Sequence, residues 1–188
     1  RAMKVVMTDM LETIDELRSS YPEVTFQVAT SVDEQTVQIR DADAYVGWPT
    51  QEVFIANEKL RWVHVGSTGI DMARTRVPAL MDSDVVLTNT RGPHANPMAD
   101  HAFGMVLNLA RPFPVFRDDQ RGRVWSDGHR DRMVDLSGRN MGILALGDVG
   151  MAVAQRAHGF GMRVYAVDKL HTQVRNTPPA VGEVWGLD

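Results

Sequence analysis

The stretch "ILALGDVGM" at positions 143–151 joins two apolar runs, and its glycines decide which fold the second half of the chain adopts. A strand-like run, "MGILAL", leads into Gly147 and Gly150, and a helix-like run, "MAVAQRAHGFGM", follows. A strand, a glycine-rich turn and a helix in this order are typical of the dinucleotide-binding motif G-x-G-x-x-G. Ala145 stands at the position of the first glycine. An ordinary strand-to-helix turn therefore remains the alternative.

The two glycines that are present occupy the second and third glycine positions of the motif. Gly147 would let the backbone approach the phosphates, and Gly150 would let the helix pack closely on the strand. The pyrophosphate would lie at the amino end of the helix near Asp148 and Val149, where free N–H groups and the helix dipole favour anions. We expect Ala145 to be tolerated if the turn does not require a positive φ.

An acidic residue supports the dinucleotide interpretation. The motif needs a carboxylate about 20 residues further on, at the end of the next strand, to bond the ribose hydroxyls. Asp168 ends the apolar run "MRVYAVD". This carboxylate favours NAD over NADP, because it would repel a 2′-phosphate. A structural turn followed by a strand-ending aspartate is again the alternative.

The first half of the chain alternates short β-rich runs with polar helical ones. Five runs are strand candidates: "MKVVMT", "VTFQVA", "AYVGW", "RWVHVG" and "DVVLTN". Most are continuously apolar, as in parallel strands that helices cover on both faces. Residues 3–91 are therefore predicted to form a flavodoxin-like, doubly wound α/β domain with a parallel sheet.

Residues 92–188 begin with a different pattern, in which a long helix and a charged segment replace the alternation of short strands and helices. A long helix is predicted over 97–111, with Asn96 as its N-cap and Pro112 ending it. The segment Arg117–Arg132 is rich in Arg and Asp and is expected to be an exposed arm.

A strand–helix–strand pattern follows and predicts an incomplete Rossmann domain with two clear strands. The tail after it is loop-like and contains Pro178 and Pro179. A sheet of two strands is at best marginally stable alone, so we expect that the rest of the sheet or a partner covers them.

Composition excludes several classes of function. The 188 residues carry a net charge of -4, 44% hydrophobic residues and no cysteine. Disulfides, thiolate metal sites and cysteine nucleophiles are thus excluded. Basic residues are scattered and no apolar run has the length of a membrane span, so we expect neither nucleic acid nor membrane as a partner. A cytoplasmic protein is the expectation.

Three motifs in order resemble one family: "LRWVHVGSTGID" (60–71), "LTNTRGPHANPMADHAFGMVLNLAR" (87–111) and "DLSGRNMGILALGDVGMAVAQRAHGFGMRVYAVD" (135–168). Together they resemble the D-isomer-specific 2-hydroxyacid dehydrogenases. The resemblance implies a substrate domain, an NAD-binding Rossmann domain and an active cleft between them. It also implies a homodimer whose two-fold contact lies at the helix 97–111.

The resemblance assigns roles to individual residues. It implies that the loop Ser67, Thr68 and Gly69 binds the carboxylate of the substrate. It also implies that Thr68 and Met98 lie near the nicotinamide. The remaining cofactor-binding residues that it implies are Leu146, Gly147, Asp148, Val149, Gly150 and Asp168.

No residue of this chain matches the catalytic Arg, Glu and His of that family. We therefore expect residues 1–188 alone not to turn over substrate. His94, in a loop beside the expected cleft, is a candidate to contact the substrate in place of the missing histidine. His101 is expected to be packed or capping, and His64 to be a hydrogen-bonded core residue. His94 and His101 lack a third ligand, so a metal site is not expected.

Other apolar side chains are assigned to structure. Met105, Val106 and Leu109 are predicted to lie in the core, and Trp48 and Trp125 to serve packing or an interface.

Three functions follow. The first is an NAD-dependent oxidoreductase that moves a hydride between the nicotinamide and a small D-2-hydroxy or 2-keto acid. An adenosylmethionine-dependent methyltransferase also pairs a glycine-rich turn with a strand-ending acid, but the five-stranded domain and the "STGID" loop argue against it. The third is a truncated, non-catalytic relative that acts as a binding or interaction protein.

Overall fold

The computed structural model describes residues 2–8, 13–170 and 181–187. Contacts between Cα atoms divide the chain into a first unit, residues 1–91, and a second unit, residues 92–188.

The first unit is a five-stranded parallel sheet. Its strands are β1 (Met3–Met7), β2 (Val24–Val28), β3 (Ala44–Val46), β4 (Trp62–Val65) and β5 (Val86–Asn89), in the order β2-β1-β3-β4-β5. This is the flavodoxin-like order, so the predicted fold class is confirmed. All five predicted strands are present, each a little shorter than its apolar run.

Short helices connect these strands. They are α1 (Ile14–Ser20), α2 (Val32–Gln38), α3 (Gln51–Ile55), α4 (Ala73–Arg76) and α5 (Pro78–Met81), with a 3₁₀ turn at Ile39–Asp41. A capping box starts α2, where the Ser31 side chain accepts from the Glu34 amide and the Glu34 carboxylate accepts from the Ser31 amide. The backbone amide of Thr30 also donates to this carboxylate and is the main reason why the pKa of Glu34 is lowered.

The core of the first unit lies on both faces of the sheet. Tyr45, at its centre, is fully buried, and its hydroxyl donates to Gln35 Oε1 at 2.9 Å. Burial raises the pKa of the Tyr45 phenol well above its usual range. On the opposite face, Ile14 packs with Val5 and Met7.

The second unit begins with helices α6 (Ala95–Ala110) and α7 (Phe113–Gly122), followed by a 3₁₀ turn at Arg130–Arg132. A parallel sheet follows, of β6 (Asn140–Leu144), β7 (Arg163–Val167) and β8 (Val181–Trp185), and α8 (Asp148–Gly159) connects β6 to β7. Helix α6 packs on α8, and the two helices and the sheet share one core that includes Phe103, Ile143 and Val164.

Several predictions for this unit are wrong. The tail supplies a third strand, β8, although Pro178 and Pro179 lie outside the described residues. Helix α6 starts at Ala95, with His94 rather than Asn96 at its N-cap position. The predicted exposed arm or connection, in contrast, begins within the regular helix α7, which has no buried residue, so its exposure there is as predicted.

The outer face of α6 is also exposed instead of buried. Met105 is 52% and Leu109 is 81% exposed, and Val106 is only half-buried, so these three residues do not form core within this chain. Among the described helices, none is both long and apolar enough to cross a membrane.

Candidate functional site

The glycine-rich turn links β6 to α8. Leu146 is buried, and Gly147 takes the N-cap position of α8. Ala145, just after β6, has a φ of 74°, in the left-handed region. The condition under which an alanine was expected to be tolerated, a turn without a positive φ at this position, is therefore not met. An alanine costs roughly 1–2 kcal/mol in this conformation, because its Cβ crowds the carbonyl oxygen.

The two glycines of the turn have different surroundings. A Cβ built on Gly150 would lie 2.2 Å from the Ala145 carbonyl oxygen, so a side chain there would push the helix away from the strand. A Cβ on Gly147 would meet nothing within 4 Å. Gly147 thus leaves open space at the amino end of α8, where the first amides of a helix lack carbonyl partners within the helix.

Asp168 follows β7 and contacts this turn directly. Its Oδ2 accepts from the Leu146 amide at 2.7 Å, and its Oδ1 accepts from the Leu170 amide at 2.7 Å. Its own amide donates to the Trp185 carbonyl at the end of β8. The carboxylate is thereby held beside the glycine-rich turn.

These residues fit a dinucleotide. The open amino end of α8 suits a pyrophosphate, with Gly147, Asp148 and Val149 as its first backbone groups. In a dinucleotide-binding unit the acceptor for ribose hydroxyls is an acid at the end of the second strand, and Asp168 stands directly after β7. Met98, in the first turn of α6, is 54% exposed and available to a ligand.

Arg156 connects α8 to α6, a contact that was not predicted from the sequence. Arg156 Nε donates to Asp100 Oδ1 at 2.7 Å, and its terminal nitrogens reach the side chain and the carbonyl of Asn96. A single arginine within an alanine-rich helix was the available signal. This network fixes the start of α6 against the middle of α8.

The predicted substrate loop follows β4. The Ser67 hydroxyl donates to the Gly69 carbonyl at 2.8 Å, and Thr68 and Gly69 are exposed. Asn89, at the end of β5, donates from Nδ2 to the Thr68 carbonyl at 2.5 Å. Asn89 was not predicted as a functional residue, because nothing in the local sequence distinguishes it from any other asparagine at the end of a strand.

The three histidines considered as candidates differ in their exposure and hydrogen bonds. His64 is half-buried, with its ring nitrogens 2.9 Å and 3.1 Å from the hydroxyls of Thr88 and Thr90, as a hydrogen-bonded strand histidine. His94 is exposed and makes no capping bond with its side chain. His101 is exposed, so its predicted packing or capping role is wrong. Within residues 2–8, 13–170 and 181–187, no cluster of three metal-ligating side chains occurs.

In comparison with known proteins, the second unit is similar to a family of NAD-binding domains. Residues 103–184 match the model of the D-isomer specific 2-hydroxyacid dehydrogenase NAD binding domain. The chain is 33% identical, over 72% of its length, to a glyoxylate reductase of Korarchaeum cryptofilum. It is 26% identical, over 99% of its length, to a D-3-phosphoglycerate dehydrogenase of Methanocaldococcus jannaschii. It spans only 42% and 35% of these two relatives.

A solved structure shows the same fold over the whole chain. This D-isomer specific 2-hydroxyacid dehydrogenase family protein from Aeromonas salmonicida aligns with 100% of the chain at a TM-score of 0.80 and 23% identity. The chain covers 59% of that structure.

Proposed function

Because the chain belongs to the D-isomer-specific 2-hydroxyacid dehydrogenase family, we propose that it is part of an NAD-dependent oxidoreductase of small D-2-hydroxy and 2-keto acids. When bound, NAD would accept or donate the hydride. The protein's own residues would hold the cofactor and orient the acid. A truncated, non-catalytic relative that only binds ligands or partners is the alternative.

One observation carries the cofactor part of the proposal. The Asp168 carboxylate accepts from the Leu146 amide, one residue before the N-cap of α8. An acceptor for ribose hydroxyls and a helix end for a pyrophosphate are therefore adjacent, as a dinucleotide requires. Leu146, Gly147, Asp148, Val149 and Gly150 would surround the pyrophosphate.

The substrate part of the proposal concerns the loop after β4. The amides of Ser67, Thr68 and Gly69 would receive the carboxylate of the acid, since successive backbone N–H groups bind anions well. The resemblance to the family also assigns a role beside the nicotinamide to Thr68 and, separately, to Met98.

We also propose a homodimer that uses the outer face of α6. The exposed apolar side chains there, Met105 and Leu109, would be buried by a second copy, and Trp125 in the arm is 95% exposed. Monomers rarely expose such apolar clusters without an interface. Light scattering at micromolar concentration tests this, and a clean monomer would contradict it.

Cofactor binding is tested by titrating residues 1–188 with NADH and following its fluorescence. We expect binding that Asp168→Ala weakens, whereas Asp118→Ala, in the exposed helix α7, leaves it unchanged. Wild-type protein without any NADH response would refute the cofactor site.

Turnover is measured separately, with a protein that carries this chain within its full length. NADH oxidation is followed with glyoxylate, hydroxypyruvate, pyruvate and longer 2-keto acids. NADH binding without turnover of any acid would favour the non-catalytic alternative.

A further inference from the structure

We propose that Asn89 is a positioning residue that orients the amides of the substrate loop. This inference rests on the proposed role of Ser67–Gly69 in receiving a carboxylate. Asn89 is half-buried at the last position of β5, paired in register with Val65 at the end of β4. From there its side-chain nitrogen donates to the Thr68 carbonyl at 2.5 Å.

Three successive carbonyls of the loop are held in this way. The Ser67 carbonyl accepts from the Thr90 amide at 3.2 Å, and the Thr68 carbonyl accepts from Asn89. The Gly69 carbonyl accepts from the Ser67 hydroxyl at 2.8 Å. Asn89 and Thr90 are consecutive, so the end of β5 controls two of the three peptide groups.

Holding a carbonyl also orients the N–H group of the same peptide. The peptides of the described residues are all trans, and in a planar trans peptide the C=O and N–H bonds point in opposite directions. The amides of Thr68, Gly69 and Ile70 are therefore each directed away from the partner of the preceding carbonyl. All three residues are exposed, so these amides can meet a ligand.

Asn89 suits this role because its amide nitrogen is a donor on a short side chain. An aspartate of the same shape has no donor when ionised and would repel the Thr68 carbonyl. Asn89→Asp therefore removes the hydrogen bond with almost no change in volume, and Asn89→Ala removes it without adding a charge.

The experiment uses ¹⁵N-labelled residues 1–188 and oxamate, a stable analogue of a 2-keto acid. In wild-type protein, oxamate should shift amide signals of the proposed carboxylate loop, Ser67–Gly69, and of the following Ile70. Asn89→Ala should weaken oxamate binding by roughly three- to tenfold, the usual effect of one hydrogen bond. Backbone relaxation should show a more mobile Gly69 amide in the same variant. Asn140→Ala, at an exposed position of β6, is the matched control and should change neither.

A merely structural role would instead increase hydrogen exchange throughout β4 and β5, and that result would overturn the inference. Equal oxamate affinity in wild type and Asn89→Ala would also overturn it, while the proposed function would stand. If oxamate shifts none of the amides from Ser67 to Ile70 in wild type, the proposed carboxylate site fails. Relaxation at Gly69 then decides the positioning role on its own, and an unchanged Gly69 would refute it. Should Asn89→Ala not fold, the same measurements on Asn89→Asp give the answer.

Discussion

Replacing Ala145 by glycine should stabilise the second unit by about 0.5–1 kcal/mol. Its φ of 74° costs an alanine roughly 1–2 kcal/mol, which glycine does not incur. Against this, glycine adds about 0.4–1 kcal/mol of conformational entropy to the unfolded chain. The hydrogen bond from the Leu146 amide to the Asp168 carboxylate keeps the turn in place, so the variant gains the difference.

Hydrogen exchange of the backbone amides in β7 measures this change, because buried strand amides exchange through opening of the whole unit. Protection should rise by about two- to fivefold, the equivalent of that free energy. Ala102→Gly, in the interior of α6, is the control and should lower protection, since glycine costs about 1 kcal/mol in a helix. Lower protection in the Ala145 variant would refute the strain argument.

The same variant also separates strain from cofactor affinity. Glycine keeps the shape of the turn, because it adopts a positive φ readily. We therefore expect its NADH affinity to stay within about twofold of wild type, a change of less than about 0.5 kcal/mol. A much larger change in a fluorescence titration would mean that the Ala145 methyl group itself meets the cofactor.

Four further predictions concern other parts of the structure. Gly150→Ala should destabilise the second unit by about 1–3 kcal/mol, because the new Cβ clashes with the carbonyl oxygen of Ala145. Gly104→Ala, whose Cβ would enter open space, is its control and should stabilise α6. Hydrogen exchange measures both changes. Asp168→Ser should narrow the difference between NADH and NADPH dissociation constants, and a wild type that prefers NADPH would contradict this assignment. Burial raises the folded-state pKa of Tyr45, so its contribution to stability is complete below about pH 10, the unfolded value, and is lost as the pH rises toward the folded-state pKa. Tyr45→Phe should therefore reduce the alkaline fall in the free energy of unfolding, measured with urea. Leu109→Glu should convert a dimer into monomers in light scattering.

Local patterns in the sequence were enough to predict the architecture. The five apolar runs of the first unit became parallel strands, because a continuous apolar segment bounded by polar ones can be buried only between covering helices. The places of Gly147 and Gly150 in the turn before and within α8, and of Asp168 at the end of β7, were also predictable, since a strand, a turn and a helix impose their requirements on residues close together in the chain.

The strand β8 was not predictable in the same way. Its five residues, "VGEVW", contain a glycine and a glutamate, and only pairing with β7 makes them a strand. The exposed face of α6 was likewise mistaken for core, because an apolar helix face looks the same in sequence whether its own chain or a partner covers it.

The details of the candidate sites were decided by the tertiary structure alone. The positive φ of Ala145 follows from the position of Gly150 against its carbonyl and of Asp168 against the next amide. The bonds from Asn89 to Thr68 and from Arg156 to Asn96 join positions far apart in the chain. Such contacts depend on which strands and helices become neighbours. Sequence periodicity shows which face of an element is buried, but it does not show which side chain of another element will meet it.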